Sequence, residues 1–332
     1  MADRGSLSQH VYRLLSDGKF HSGTALAGQC GVSRNAVWKA IASLRALGVD
    51  VHAVSNRGYR LPNATTLLER GRIVKLLARS VRVRLRNGRC QWNTGSTNSD
   101  LMQQAAVPPG QFDFLTAELQ SAGRGRRARS WLSPPGGAIC LSIAWCFAMM
   151  PRDISALSLA VGVCVLRALA QMRVAGVALK WPNDLVVGPA KLGGILIELR
   201  AEAGGPASAV IGLGLNVVVG EPMRRRIAST GTEPTDLIST GLKRPDRNRI
   251  ASALIGHLVA GLEQFERDGF AAFMQEWRAA DALAGQRVVV SSDSGSVAGH
   301  ARGIDAEGAL CLQTRDGIQR FVSGDVSART VT

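Results

Sequence analysis

Gly123-Arg124-Gly125-Arg126-Arg127-Ala128-Arg129 packs four arginines, two glycines and no acid into seven residues. As a pattern, Gly123-x-Gly125-x-x-Ala128 matches the phosphate-binding turn of a dinucleotide-binding sheet. That turn requires a helix to begin at the glycines, so that its N-terminus faces the pyrophosphate. The residues that follow, Ser130-Trp131-Leu132-Ser133-Pro134-Pro135-Gly136-Gly137, cannot start a helix promptly. The stretch therefore predicts a basic, glycine-hinged loop and excludes a doubly wound nucleotide fold built on it. Its glycines let the backbone close around a ligand, and its guanidiniums suit phosphate. A solvated basic loop or a nucleic-acid contact would have the same composition.

Downstream, Lys180-Trp181-Pro182-Asn183-Asp184 sets a lysine, an amide and a carboxylate around a Trp-Pro corner. For Asn183 and Asp184 a plain structural turn competes with a ligand role. Before that corner, Leu157, Val161, Cys164, Val165, Leu169 and Met172 form a helical stripe so apolar that its helix must be buried. Gly193–Leu199 and Ala209–Val217 read as neighbouring strands around the turn Ala203-Gly204-Gly205-Pro206, and Leu254, Leu258, Leu262 and Phe265 mark another helix. Residues 81–282 thus alternate strands and helices, as an α+β or α/β catalytic domain does. Residues 63–80 carry one amphipathic helix and read as a connector. After Ala284-Gly285 come short strands and glycine turns, which predict a small β-barrel.

At the other end, Leu7, Val11, Leu14 and Leu15 keep helical spacing until Asp17-Gly18. Ser22 caps a second short helix, Gly31 turns the chain, and Ser33 caps a third carrying Val37, Ile41, Leu44 and Leu47. Val49–Val54 and Tyr59–Leu61 flank Asn56-Arg57-Gly58 as a hairpin. Helix, helix, turn, helix, hairpin is the order of a winged helix-turn-helix. Ser33, Arg34, Asn35, Trp38 and Lys39 on the outer side of the third helix, with Arg57 at the wing tip, are the candidate DNA contacts. Residues 1–62 hold eight basic and three acidic side chains, a net of +5. A helical protein-interaction module would share the helix order, but the cap, the turn and the basic wing together favour DNA.

The whole chain, 332 residues with 46% hydrophobic and 20% charged content, is too apolar to be disordered and long enough for two or three domains. Its net charge of +15 favours a polyanionic partner, although a general basic bias would look the same. Six scattered cysteines without a Cys-x-x-Cys suit a reducing compartment, and five dispersed histidines offer no metal cluster. The apolar stretch 138–169 is interrupted by Pro151-Arg152-Asp153, so neither half has the roughly 20 residues of a membrane span. A soluble, cytoplasmic protein without a membrane partner is expected.

Ser96-Thr97-Asn98, Gln120 with the arginine loop, Lys180-Trp181-Pro182-Asn183-Asp184, and Lys191-Leu192-Gly193-Gly194-Ile195-Leu196 occur in that order. In order and spacing the chain resembles the biotin protein ligases. With the winged helix in front, it is similar to the bifunctional bacterial type, ligase and biotin operon repressor in one chain. The resemblance covers essentially the whole length. It implies an α+β protein with a winged helix-turn-helix (1–64), a central mixed α/β ligase domain of the biotin/lipoate ligase type (65–282), and a C-terminal SH3-like β-barrel (283–332).

The implied activity is activation of biotin by ATP, with Mg²⁺ on the phosphates, to biotinyl-5′-AMP. A lysine of a biotin carboxyl carrier protein then attacks to form an amide. Ser96, Thr97, Asn98 and Gln120 match the contacts to biotin's ring system, although Ser96 would equally cap a helix. Arg124, Gly125 and Arg126 match the loop over the ligand. Arg126, Lys180 and Lys191 match the catalytic cations, Lys191 reaching the biotin carboxylate or its phosphate ester, and Asn183, Asp184 and Asn216 the nucleotide side. Trp131 lies near the biotin pocket or in the core.

The resemblance further implies operator DNA as partner and a homodimer when biotinyl-AMP is bound. Two central sheets would meet edge to edge through the apolar strand 209–219, in competition with the carrier. The chain departs from the family in two places. No Phe, Tyr or Trp follows Asn216 before Phe265, where some members stack a tryptophan on adenine, and Cys140 stands where an aromatic is common. Three alternatives stay open: a lipoate-type ligase, a ligase whose N-terminal module is vestigial, and a biotin-sensing regulator without ligase activity. The last would predict loss of Lys180, Lys191 or the arginine loop, and all are present.

Overall fold

The computed structural model describes residues 6–201, 205–292 and 295–328. Residues 203 and 204 of the turn expected at 203–206 lie outside them.

Ser6, Ser22 and Ser33 each accept a hydrogen bond from the backbone N–H three residues on, starting α1 (Leu7–Leu15), α2 (Gly23–Cys30) and α3 (Arg34–Ala46). Gly31 ends α2 in the left-handed conformation, at φ 65°. The wing is the antiparallel pair β1 (His52–Val54) and β2 (Gly58–Arg60), and His21 pairs with Tyr59. Val11, Leu15, Leu26, Val37, Ile41 and Leu44 close a core of their own.

The connector departs from the single expected helix. It forms α4 (Arg70–Leu76) and α5 (Arg79–Arg82), broken where Leu77 takes an extended ψ of 139°. Ile73, Leu77 and Val81 are all buried. In one continuous helix, residues four apart drift by about 40° per step, so the third would leave the core. The break turns it back.

Seven strands make the central sheet, in the order β3-β4-β5-β9-β8-β7-β6. β3 (Leu85–Thr94) leads through α6 (Thr97–Met102) to β4 (Phe112–Gln120), its parallel neighbour. β5 (Ala138–Phe147) is followed by the buried helix α7 (Leu157–Gln171). By length and composition alone the segment Ile154–Gln171 would span a membrane, but it packs as a core helix. β6 (Ala178–Lys180), β7 (Asp184–Val187), β8 (Ala190–Ala201) and β9 (Ala207–Asn216) complete an otherwise antiparallel sheet. α8 (Glu221–Ala228), α9 (Arg247–Asp268) and α10 (Met274–Ala279) follow, with α9 packed along α7.

One expectation fails here. The strand expected as a dimer edge, 209–219, forms β9 to Asn216 and is hydrogen-bonded on both sides, to β5 and β8. An apolar strand buried on both edges is the mark of a sheet centre, and it has no edge to offer.

β10 (Arg287–Ser292), β11 (Gly295–Ile304), β12 (Leu310–Thr314), β13 (Gly317–Phe321) and β14 (Asp325–Ala328) form an antiparallel sheet in the order β13-β12-β11-β10-β14. Barrel closure is not among the pairings of the described residues. Trp181 Nε1 donates to the Gly308 carbonyl at 3.0 Å, fixing this sheet to the Trp-Pro corner.

Under the sheet lies a fully buried ion pair. Arg247 Nη1 donates to Glu118 Oε2 at 2.7 Å and to the Thr66 carbonyl at 3.0 Å, while Nη2 donates to the Ala138 carbonyl at 2.6 Å. Glu118 Oε1 accepts from Leu68 N at 2.6 Å. Connector, β4, β5 and α9 are thereby joined at one point. Arg247→Met leaves Glu118 buried and unpaired, and the expected cost is about 3–5 kcal/mol of unfolding free energy. Denaturant unfolding measures it, and a cost below about 1 kcal/mol would refute this role.

Candidate active site

β9 alternates bulky and small residues. Ile211, Leu213 and Leu215 point into the helical core, so Gly212, Gly214 and Asn216 lie on the other face. β5 does the same, with Ile139, Leu141 and Ile143 in the core and Cys140 and Ser142 opposite. This thin face of the sheet is covered by α6. Ser96 caps α6, and Ser96, Thr97 and Asn98 are all buried. Gln120 Oε1 accepts from Thr97 N at 2.8 Å and Thr97 Oγ1 at 3.1 Å. Ser142 Oγ donates to Asn98 Oδ1 at 2.6 Å and lies 2.7 Å from Thr97 Oγ1. Asn98 Nδ2 donates to the Leu196 carbonyl and to Glu198. A methyl group at Gly212 would overlap the Asn98 amide, and one at Gly214 would overlap the Trp131 indole. The two glycines let a polar helix end and an aromatic ring approach the strand closely.

Beside this polar wall sits a cationic cluster. Lys191 Nζ is 2.7 Å from Asp184 Oδ1, and Lys180 is the strand partner of Asp184 across β6 and β7. Burial pushes the Lys180 ammonium below the usual lysine range, opposed by Asp184 and reinforced by Lys191. Arg126 is likewise lowered by burial, with Asp325 and then Asp184 opposing. One carboxylate, Asp184, thus faces cations from two separate segments. Lys180, Lys191 and Arg126 all lie within electrostatic reach of Asp184.

The arginine stretch is a hairpin, not a helix start. Arg124 pairs with Ser130, Trp131 N donates to the Gly123 carbonyl at 2.8 Å, and Arg127 and Ala128 turn the chain at positive φ. Arg124 Nη2 donates to Glu198 Oε2 at 2.6 Å. Arg129 reaches Asp325 of the C-terminal sheet at 2.6 Å, and Arg127 Nη1 donates to the Ser291 carbonyl at 3.2 Å.

Asn183 is committed to structure: Nδ2 donates to the Ile195 carbonyl at 2.6 Å, and its own carbonyl accepts from Ile195 N. Asn216 Nδ2 donates to the Thr235 carbonyl, while its buried Oδ1 has no partner among the described residues. Gly125 lies within the hairpin. Ser33, Arg34, Asn35, Trp38, Lys39 and Arg57 are all exposed, and Arg57 lies 4.2 Å above the Phe20 ring. Ser142, Gly212, Gly214 and Glu198 were not singled out from the sequence. The signal for the first three was the small-large alternation along β5 and β9.

Residues 88–216 match the biotin/lipoate A/B protein ligase family, residues 7–60 an HTH domain, and residues 284–329 the biotin protein ligase C-terminal domain. The bifunctional ligase/repressor BirA of Escherichia coli is 36% identical over 318 residues, covering 96% of this chain and 95% of that protein. The chain belongs to the biotin protein ligase family. The biotin–[acetyl-CoA-carboxylase] ligase of Mycobacterium tuberculosis is 37% identical over 240 residues, 70% of this chain and 85% of that one. Among solved structures, the Aquifex aeolicus biotin protein ligase in complex with biotin and ATP superposes with a TM-score of 0.61 at 24% identity. It covers 74% of this chain and 100% of that one, a likeness of fold.

The Asp325 contacts hold the family's arginine loop against the C-terminal sheet. Asp325→Asn is expected to loosen it and raise the rate of tryptic cleavage at Arg126, Arg127 and Arg129 several-fold. Mass mapping of the early peptides measures this. Unchanged cleavage there would show that Asp325 does not hold the loop.

Proposed function

We propose that this chain is an ATP-dependent biotin protein ligase that also represses transcription from operator DNA. In the first step a carboxylate oxygen of biotin attacks the α-phosphorus of ATP. The α–β phosphoanhydride breaks and pyrophosphate leaves, giving biotinyl-5′-AMP. In the second, an uncharged lysine amine of a biotin carboxyl carrier protein attacks the acyl carbon, the C–O bond to AMP breaks, and an amide forms with loss of a proton. Neither step needs a protein nucleophile. The first needs two anions held together and charge neutralised as it develops, and the second needs a neutral amine brought to the activated acyl carbon.

The observation that carries this proposal is the convergence of Arg126, Lys180 and Lys191 around Asp184, next to the buried wall of Ser96, Thr97, Asn98 and Gln120. In this reading the amides and hydroxyls bind the neutral ureido ring, with Ser142 orienting Asn98. Lys191 takes the biotin carboxylate, Lys180 and Arg126 take the α-phosphate, and Arg124 and Gly125 close over the product. Asn183 acts by holding the corner, and Asp184 by pairing with Lys191 and opposing the burial that lowers Lys180. The unpartnered Asn216 Oδ1 suits a nucleotide amino group. Mg²⁺ would be held by the ATP phosphates themselves and would supply further charge neutralisation, since no group of side chains suited to a metal occurs among the described residues. Domain limits of 1–64, 65–282 and 283–332 and a cytoplasmic location belong to the same proposal.

Incubation with ATP, Mg²⁺, biotin and a carrier domain is expected to add one biotinyl group, read by mass. Lys180→Ala and Arg126→Ala are each expected to lower kcat/KM by on the order of 10²–10³. Lipoyl addition in place of biotinyl would overturn the substrate assignment. Because Lys180 titrates below the usual lysine range, its charge and the rate of pyrophosphate release fall at a lower pH than for a free lysine. Asp184→Asn removes the opposing carboxylate and is expected to move this alkaline limb lower still. A limb that stays in place would separate Lys180 from the chemistry.

A homodimer formed on biotinyl-AMP binding is also proposed, through a different edge. β7 pairs with β8 only as far as Gly194, so the outer edge of β8 from Leu196 to Arg200 has no strand partner among the described residues. Leu199 is exposed there, and the Arg124–Glu198 pair ties this edge to the ligand loop. Leu199→Lys is expected to abolish adenylate-induced association in sedimentation while adenylate formation persists. Dimerisation of the variant at wild-type strength would exclude this edge.

A further inference from the structure

The positive charge is concentrated at one end of the chain. Residues 1–89 hold 16 of the 40 basic side chains and four of the 25 acids, a net of +12, which leaves +3 for everything after them. The winged module explains only part of it. Residues 63–89 alone carry eight basic side chains against Glu69, a net of +7.

Their placement is not dictated by packing. α4 and α5 bury Ile73, Leu77 and Val81 against the central core and contact α9 with that side. Arg70, Lys75, Arg79 and Arg82 are all exposed. Three neighbours in the same segment are neutralised: Arg72 by Asp246, Arg84 by Glu263 and Arg86 by Asp113. Arg70, Lys75, Arg79 and Arg82 have no carboxylate partner among the described residues. Four like charges on two short helices repel one another, so the patch costs stability until an anion meets it.

The patch is continuous with the DNA-reading module. Thr65 N donates to the Ser16 carbonyl at 2.8 Å, which fixes the start of the connector on the turn after α1. Arg70 follows five steps along the chain from Thr65, a span of at most about 18 Å. Arg13 and Lys19 are exposed beside that turn and add positive charge there. We infer that α4 and α5 form a second, sequence-independent DNA contact that grips the phosphates of the same duplex beyond the site read by α3 and the wing. This rests on the DNA-binding reading proposed above and adds to it a surface outside the winged module. Exposed arginine and lysine on two short helices suit phosphate neutralisation and counterion release.

The test is fluorescence anisotropy of the full chain on a labelled non-operator duplex across a salt series. The variants are Lys75→Ser/Arg79→Ser/Arg82→Ser and, separately, Arg34→Ala. Loss of three phosphate contacts is expected to lower the magnitude of the log K against log salt slope by about 2.7. Affinity near 0.1 M salt is expected to fall by on the order of several hundred-fold. Biotinyl-AMP formation should stay at the wild-type rate, showing that the variant is folded. If the triple variant keeps the wild-type slope while Arg34→Ala weakens binding, the patch is not a DNA contact and the winged-helix reading survives. If only the triple variant weakens binding, the patch stands and α3 loses its role. Absence of DNA binding by the wild type, or loss in the triple variant only of binding to acidic phospholipid vesicles, would overturn the inference.

Discussion

Arg247 and Glu118 form the contact on which the domain arrangement turns. A guanidinium and a carboxylate withdrawn from water each cost several kcal/mol, and only a nearly saturated set of hydrogen bonds offsets that. Here the set is drawn from four places: the carboxylate on β4, the carbonyls of Thr66 and Ala138, and Leu68 N. None of these elements can shift without exposing a buried charge to an apolar neighbourhood. The connector from the winged module and the strand that begins the ligand face are therefore set by the same pair. Tyr12 of α1 lies close by, with its ring 5.4 Å from Trp92. Burial and Glu118 push its hydroxyl above the usual tyrosine range, so it stays neutral at this junction.

From that anchor the site follows by sheet geometry. β5 and β9 present branched side chains to α7 and α9 and leave glycine, serine and cysteine on the opposite face. That face is bare because the strands are thin on that side. The polar end of α6 covers it, and the arginine hairpin lies across it, held at Glu198 and at Asp325. Burial lowers the proton affinity of both Lys180 and Arg126, and Asp184 opposes that in each. The site is a balance of desolvation against paired charge, the condition under which cations are most effective toward phosphate.

Each motif was legible in the chain for a physical reason. The seryl caps, the turn glycine and the period of the apolar residues were enough for the winged module. The prolines after Trp131 were enough to deny the arginine loop a helix. The charge and glycine content of residues 123–129 and 180–184 suggests a shared phosphate site, and the resemblance adds Lys191, but nothing local in the spacing brings residue 126 to residue 184. Apolar content cannot distinguish an exposed edge from a sheet centre, so the strand 209–219 reads as an edge although β9 is paired on both sides. The connector reads as one helix because helical spacing persists through Leu77, where the backbone turns extended.

By itself the sequence determined element type, local capping, the family and the identity of the charged groups, because these depend on neighbours within a few residues. Tertiary structure alone decided which face of β9 is bare, which edge of β8 is open, that Asn183 is spent on holding Ile195, and that Arg129 meets Asp325. Those outcomes depend on strand order and on which distant carboxylate or carbonyl satisfies a given donor. Such pairings are fixed only once the sheet has closed and each buried charge has found its partner.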